Sequence, residues 1–273
     1  MQAADRERTA GAAAVKAPAK LTRSLRVVGR RPDGYHLLEA EMVTLGLEDE
    51  LEISSGHGLE VLDEVSWTGR PRSGPLPDGD DNLVARALRV TDRSAHVRLH
   101  KRIPVGAGLG GGSADAAAVL RWAECSDPHV AASLGADVPF CLRGGRALVR
   151  GIGEIVESLP YEEADILLVV PPLTVSTMAV YAAWDSLGGP AGEYDNDLEP
   201  AALSVEPRLA WWRDLVSDIA ARRPRLAGSG GTWWLEGARE ELAELQRRLT
   251  EILLDAGESA LVQLVRTTPA IAS

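Results

Sequence analysis

Cysteine is nearly absent from this chain of 273 residues, with only Cys125 and Cys141. Two cysteines can build neither a disulfide framework nor a four-ligand zinc site. Both read as small apolar residues, a usage that fits a reducing cytoplasm. The five histidines (36, 57, 96, 100 and 129) show no H-E-x-x-H spacing, which argues against a zinc hydrolase. Long apolar runs are missing too. A stretch such as Ile166–Pro172 falls far short of the ~20 residues a membrane helix needs. Positive charge is short, with 29 Lys and Arg against 40 Asp and Glu and a formal net charge of −11. That balance argues against a nucleic-acid-binding surface. Phenylalanine occurs once, at Phe140. The segment Met1–Ala17 lacks the apolar stretch of a signal peptide, so residues 1–15 are expected to form a frayed tail.

What remains is an ordinary globular composition, 45% hydrophobic and 25% charged. The length suits one large or two modest domains and a core that needs neither disulfides nor a structural metal. Strand patterns fall at Lys20–Val28, Val43–Leu47, Leu51–Ile53, Val97–Ile103, 146–156, 165–170 and Ala260–Val265. Helical spacing falls at Asn82–Thr91, Ala114–Trp122, 175–187, 206–222 and Leu242–Leu253. Arg30–Gly34 reads as a turn, and residues 66–82 as a loop in which Arg70 and Arg72 are solvated. Strands and helices do not alternate strictly, which favours an α+β fold over a doubly wound sheet.

Glycine is the excess. Of 27 glycines, five fall within seven residues, Gly106-Ala107-Gly108-Leu109-Gly110-Gly111-Gly112, against an average usage of about 7%. Ser113 follows, then the Ala-rich helix. Glycine lets the backbone approach an anion closely, several N–H groups can converge on it, and the helix N-terminus adds partial positive charge. A phosphate site is the natural reading. The loop contains no lysine, so it is not a Walker-type loop. Gly106, Gly108 and Gly111 match G-x-G-x-x-G, but Pro104 intrudes and the loop does not open a βαβ unit. Protein-kinase signatures are absent downstream.

Pro104–Ala114 resembles the second motif of the GHMP kinases, the family of galactose, homoserine, mevalonate and phosphomevalonate kinases. Ala17-Pro18-Ala19-Lys20 resembles their first motif, and Leu226-Ala227-Gly228-Ser229-Gly230-Gly231 their third. Gly29–His36, Leu134–Phe140 and Arg266–Ala270 are similar to signatures of the branch that acts on a cytidine diphosphate-linked alcohol. The resemblance covers roughly residues 15–270.

The resemblance implies a two-domain α+β fold, residues 16–158 and 159–273, with the active site in the cleft between them. It implies transfer of the ATP γ-phosphate to the 2-hydroxyl of 4-diphosphocytidyl-2-C-methyl-D-erythritol, a step of the non-mevalonate route to isoprenoid precursors. Asp137 would take the hydroxyl proton and Lys20 would be its partner, holding it and neutralising transferred charge. Pro104, Gly106, Gly108, Leu109, Gly110, Gly111, Gly112 and Ser113 would bind ATP, with Ser113 also on Mg²⁺. Thr22, Tyr35, His36, Thr177, Tyr181, Gly228, Ser229 and Gly230 would bind substrate. Tyr35 and Tyr181 would stack on the base and His36 would hydrogen-bond its edge. The expected enzyme is cytoplasmic, a monomer or weak homodimer, without nucleic-acid or membrane partners.

Three features depart from the family pattern. Thr22 stands where the family has asparagine and keeps one hydroxyl. Ser113 and Asp137 are only 24 residues apart, and Cys125–Pro128 looks like the scar of a deletion, so helical cover should be reduced. Trp233 and Trp234 add bulk beside the third motif. Two other readings stay open: a GHMP kinase for another small alcohol, and a non-catalytic nucleotide-binding relative.

Overall fold

The computed structural model describes residues 12–69, 76, 79–192 and 194–271; Arg70, Arg72 and the first eleven residues lie outside the described residues. A long antiparallel hairpin of β1 (Ala13–Arg30) and β2 (His36–Ser54) is the base of the fold. Its turn is the one the Pro-Asp-Gly sequence predicts: Gly34 has φ +94° and its N–H donates to the Arg31 carbonyl at 3.0 Å. Pairing starts at Ala13 against Ile53, so the end of the expected tail 1–15 belongs to the sheet. The two short strands expected at 43–47 and 51–53 are one strand. The polar residues between them do not interrupt it because Asp49 is buried among partners.

After β3 (Gly58–Asp63), α1 (Leu83–Val90) is capped by Asn82, whose Oδ1 accepts from the Val84 N–H at 2.8 Å. The next strand, β4 (His96–Lys101), stops two residues before the alternating pattern does. The Arg102 and Ile103 N–H groups donate to Asp49 Oδ1, at 2.5 and 2.8 Å, instead of to a strand. The glycine loop then feeds α2 (Gly111–Trp122), whose alanines 114, 116, 117 and 118 are buried against β1, α1 and the helix that follows Asp137. A short α3 (Pro128–Leu134) fills the place expected to be reduced cover. Asp127 caps it, accepting from the His129 N–H at 2.8 Å, and Pro128 occupies its first turn, a pairing that Asp-Pro signals in sequence.

The rest of the chain runs α4 (Val138–Arg143), β5 (Arg146–Gly151), β6 (Ile155–Leu159), β7 (Asp165–Val170), α5 (Thr177–Ser186), α6 (Glu199–Val205), α7 (Arg208–Ala220), β8 (Arg225–Leu226), β9 (Trp233–Glu236), α8 (Arg239–Ala256) and β10 (Leu261–Thr268). The strands form one path, β3-β4-β2-β10-β7-β9-β8. Strands β1 and β5 also pair with β2, and β6 pairs with β5. Strand β10 is the joint: Leu261–Arg266 pair with β7, while Thr267 and Thr268 pair with Leu45 and Thr44 of β2. Trp233 and Trp234 are 0% and 1% exposed, and successive strand residues face opposite sides of a sheet. Their bulk therefore fills the core on both sides of β9 rather than the third motif.

Candidate active site

The glycine loop separates two cavities. The smaller, about 340 Å³, is lined by all eight residues expected to bind nucleotide: Pro104, Gly106, Gly108, Leu109, Gly110, Gly111, Gly112 and Ser113. The larger, about 870 Å³, is lined by Lys20, Thr22, Tyr35, His36, Asp137, Thr177, Tyr181, Gly228 and Ser229 among others. Gly108 and Gly110 line both. Gly110, in the left-handed region at φ +67°, caps α2 and has no side chain to occupy the first N–H groups. Those groups are left to an anion, and the helix dipole favours one there.

Lys20 and Asp137 meet at this seam, with Nζ 3.3 Å from Oδ2. A register shift between Pro18 and Lys20 re-aims the β1 backbone just before the lysine, the usual work of a bulge beside a site. The Lys20 stem runs under the loop, where a Cβ on Gly110 would come within 2.7 Å of its Cγ. Asp137 occupies the N-cap position of α4 but makes no capping bond. Its carboxylate is turned to Lys20 and the cleft. Thr22 Oγ1 accepts a second bond from Lys20 Nζ, at 3.2 Å, so the residue that replaces asparagine steadies the lysine.

Farther along the cleft, Tyr35 is 60% exposed at the tip of the hairpin. The His36 ring lies against Tyr181, centroids 4.8 Å apart and planes 21° apart, and its Nε2 is 2.8 Å from Asp185 Oδ1. Burial, with Asp137 nearby, pushes the Tyr181 hydroxyl well above the usual tyrosine range. Thr177 and Ser229 hydroxyls bond at 2.9 Å and tie α5 to the third motif. Gly230 is the exception among the expected substrate residues. It turns inward at φ +116°, where a Cβ would pack on Ala202 and Val175, and it does not line the cleft.

Two groups that organise the site escaped the sequence reading. Asn196 Nδ2 donates to the carbonyls of Leu226 and Gly228, at 2.9 and 2.8 Å, and holds the third motif in shape. Neighbouring Asp197 accepts from the Val27 N–H and from Arg26, anchoring the same segment to β1. The run Asn-Asp-Leu-Glu at 196–199, a capping-type sequence before a helix, was the available signal.

The other is a buried charge cluster behind the nucleotide cavity. Lys101 Nζ donates to Asp49 Oδ2 and, at 2.7 Å, to Asp115 Oδ2. Burial alone would lower the Lys101 pKa, but Asp115 and Asp49 outweigh it and raise it. Asp115 Oδ1 is buried without a partner. Burial, against the opposing Lys101 charge and with Asp49 adding to it, raises the Asp115 pKa from 3.8 to about 7. Between those values the native state holds a proton that the unfolded chain has lost, so this group's stabilisation declines as pH rises from about 4 to about 7. Asp115→Asn is expected to remove that slope. Thermal melts of both proteins should nearly coincide at the acid end and favour the variant above pH 7; parallel curves would refute the assignment.

A metal that arrives with a nucleotide needs few protein ligands. Among the described residues no group of three His, Cys, Asp or Glu could hold one. Ser113 Oγ lies 3.9 Å from where a Cβ of Gly135 would be, so this hydroxyl faces the turn that carries Asp137. One hydroxyl fits a magnesium ion whose other ligands are phosphate oxygens and water.

Comparison with known proteins agrees with this geometry. Residues 82–145 match the GHMP kinases N terminal domain. The chain is 40% identical to the 4-diphosphocytidyl-2-C-methyl-D-erythritol kinase of Paracoccus denitrificans, over 79% of this chain and 84% of that protein. It is 36% identical to the enzyme of the same name from Pelotomaculum thermopropionicum, over 87% of this chain and 95% of that one. A crystal structure of 4-(cytidine 5'-diphospho)-2C-methyl-D-erythritol kinase superposes with a TM-score of 0.69 at 30% identity, covering 93% of this chain and 99% of that chain. A glycine loop between two cavities, a lysine–aspartate pair at their seam and this degree of likeness together establish that the chain belongs to the 4-diphosphocytidyl-2-C-methyl-D-erythritol kinases of the GHMP kinase family.

Proposed function

We propose that the chain transfers the γ-phosphate of ATP to the 2-hydroxyl of 4-diphosphocytidyl-2-C-methyl-D-erythritol, with Asp137 as base and Lys20 as its partner. The observation that carries the roles is the 3.3 Å Lys20–Asp137 contact at the seam of the two cavities. The smaller cavity takes the nucleotide, its phosphates on the N–H groups of the loop and of the start of α2. The larger takes the alcohol and its cytidine end. The substrate oxygen attacks the γ-phosphorus, the bond to the ADP oxygen breaks, and the hydroxyl proton passes to the Asp137 carboxylate. Lys20 offsets charge on the transferred group. Such a reaction asks for positioning and charge neutralisation more than for covalent chemistry. Ser113 would hold Mg²⁺ together with phosphate oxygens; the ion supplies further charge neutralisation across the triphosphate when bound.

The division into lobes at residues 16–158 and 159–273 belongs to the same reading, as do a cytoplasmic location and a monomer or weak dimer. Among the described residues no helix is long and apolar enough to cross a membrane. The test is direct. Purified chain with ATP, Mg²⁺ and the substrate should release ADP at about 1–100 per second, a usual range for kinases, with one new phosphomonoester by ³¹P NMR. Turnover of homoserine or mevalonate instead would move the acceptor to another alcohol. ATP binding without transfer to any of the three would make the chain a binder.

A further inference from the structure

We propose that Asp185 fixes the proton on His36 and so makes His36 a reader of the pyrimidine 4-position, accepting from an amino group and repelling an oxo group. The proposal rests on the larger cavity being the cytidine site.

Asp185 lies four residues after Tyr181 on α5, hence on the same face of that helix. Its Oδ1 is 2.8 Å from His36 Nε2, and its Oδ2 is 3.4 Å from Arg30 Nη1 at the end of β1. The imidazole is held on its face by Tyr181, at 4.8 Å, and on its edge by Trp184, at 5.6 Å between centroids. With its side chain 10% exposed, the ring has little room to turn over. The hydrogen bond from His36, outweighing partial burial and joined by the charge of Arg30, holds the Asp185 carboxyl below the usual carboxylate range.

An ionised carboxylate has no hydrogen to give. Nε2 must therefore carry the proton, and in the neutral ring Nδ1 is left as an acceptor. Nδ1 has no protein partner among the described residues, and it is not one of the buried polar atoms left unpaired. It is available to a ligand in the cavity that His36 lines. Cytosine presents an amino donor at C4 where uracil presents a carbonyl acceptor, so one base completes a hydrogen bond and the other meets two opposed lone pairs. Without Asp185 the ring is free to carry its proton on either nitrogen, and the distinction fades. Asp185 is in this sense a positioning residue that acts through His36.

The experiment compares CDP and UDP by calorimetry in the wild type, Asp185→Ala and Asp185→Asn, with the nucleotide cavity saturated by a non-hydrolysable ATP analogue. The wild type should prefer CDP. Asp185→Ala should reduce the CDP/UDP ratio about tenfold, the worth of one hydrogen bond. Asp185→Asn, whose amide oxygen can still accept from Nε2–H, should keep part of it. Long-range ¹H–¹⁵N NMR should report an unprotonated His36 Nδ1 in the wild type and a mixture of tautomers in Asp185→Ala. An unchanged ratio in Asp185→Ala, with both ligands weakened equally or not at all, overturns the proposal, as does an unchanged tautomer. A wild type that prefers CDP but transfers no phosphate would sink the kinase reading and leave the proposal standing.

Discussion

Asp137→Ala is expected to lower kcat by about 10²–10⁴-fold, the usual worth of a positioned acid–base group, while ATP binding stays close to that of the wild type. The carboxylate is paired with the Lys20 ammonium at the seam of the cavities. It lies outside the cavity that the glycine loop lines for the triphosphate. The loss should therefore appear in turnover and not in nucleotide affinity. Asp137→Asn separates two roles. Its amide oxygen can still accept from Lys20 but cannot take a proton from an alcohol. Steady-state kinetics of both variants, with calorimetric titration of an ATP analogue, make the check. If Asp137→Asn kept wild-type turnover, the carboxylate would be no more than a tether for Lys20.

Gly108→Ala is expected to disable the enzyme from a position that touches no reacting atom. Gly108 has φ +78°, and a Cβ there would lie 2.5 Å from the Gly230 carbonyl oxygen and 3.1 Å from that of Ala227. Both obstacles are backbone, so neither can swing aside. The strain of a left-handed non-glycine residue costs of order 1–3 kcal/mol by itself, and the clash must be relieved by moving the two glycine loops apart. The Thr232 hydroxyl, which donates to the Ala107 carbonyl at 2.7 Å, resists that movement. A displacement near 1 Å between phosphoryl donor and acceptor is worth about 10²-fold in rate, so kcat/KM should fall by at least that factor. Gly257→Ala is the control. It has a similar φ of +68° at the end of α8 but open space around it. It should lose stability of about 1–2 kcal/mol and keep its kinetics. Equal losses in the two variants would show that loop contact is irrelevant.

What the sequence made legible was local. The glycine loop, the turn before Tyr35 and the motif-borne pair Lys20–Asp137 all rest on residues close in sequence or on a recognisable pattern. The Asp49–Lys101–Asp115 cluster was not legible, because three charged residues in separate segments carry no mark of being buried together. The continuous β2 was misread for the same reason, since Glu48-Asp49-Glu50 looks like a break until Asp49 is seen accepting two backbone N–H groups. Trp233 and Trp234 illustrate the converse. Their position next to a motif suggested disturbance of the site, whereas strand alternation sends each into core. The helix at 128–134 did have a signal, Asp127-Pro128, which was read as a scar and not as a cap.

The strand that joins the two halves of the sheet has a consequence for how the chain comes to be folded. Strand β10 is the last strand in sequence among the described residues, yet it sits between β2 and β7. During synthesis β2 must wait for more than two hundred residues before its neighbour Thr267 exists. Until then two strand edges stay open, and open edges invite pairing with other chains. Contacts so distant in sequence also slow folding. The vulnerable interval of this protein is therefore the one just before residues 261–268 leave the ribosome, when nearly all of the catalytic apparatus has been made and the seam that holds it together has not.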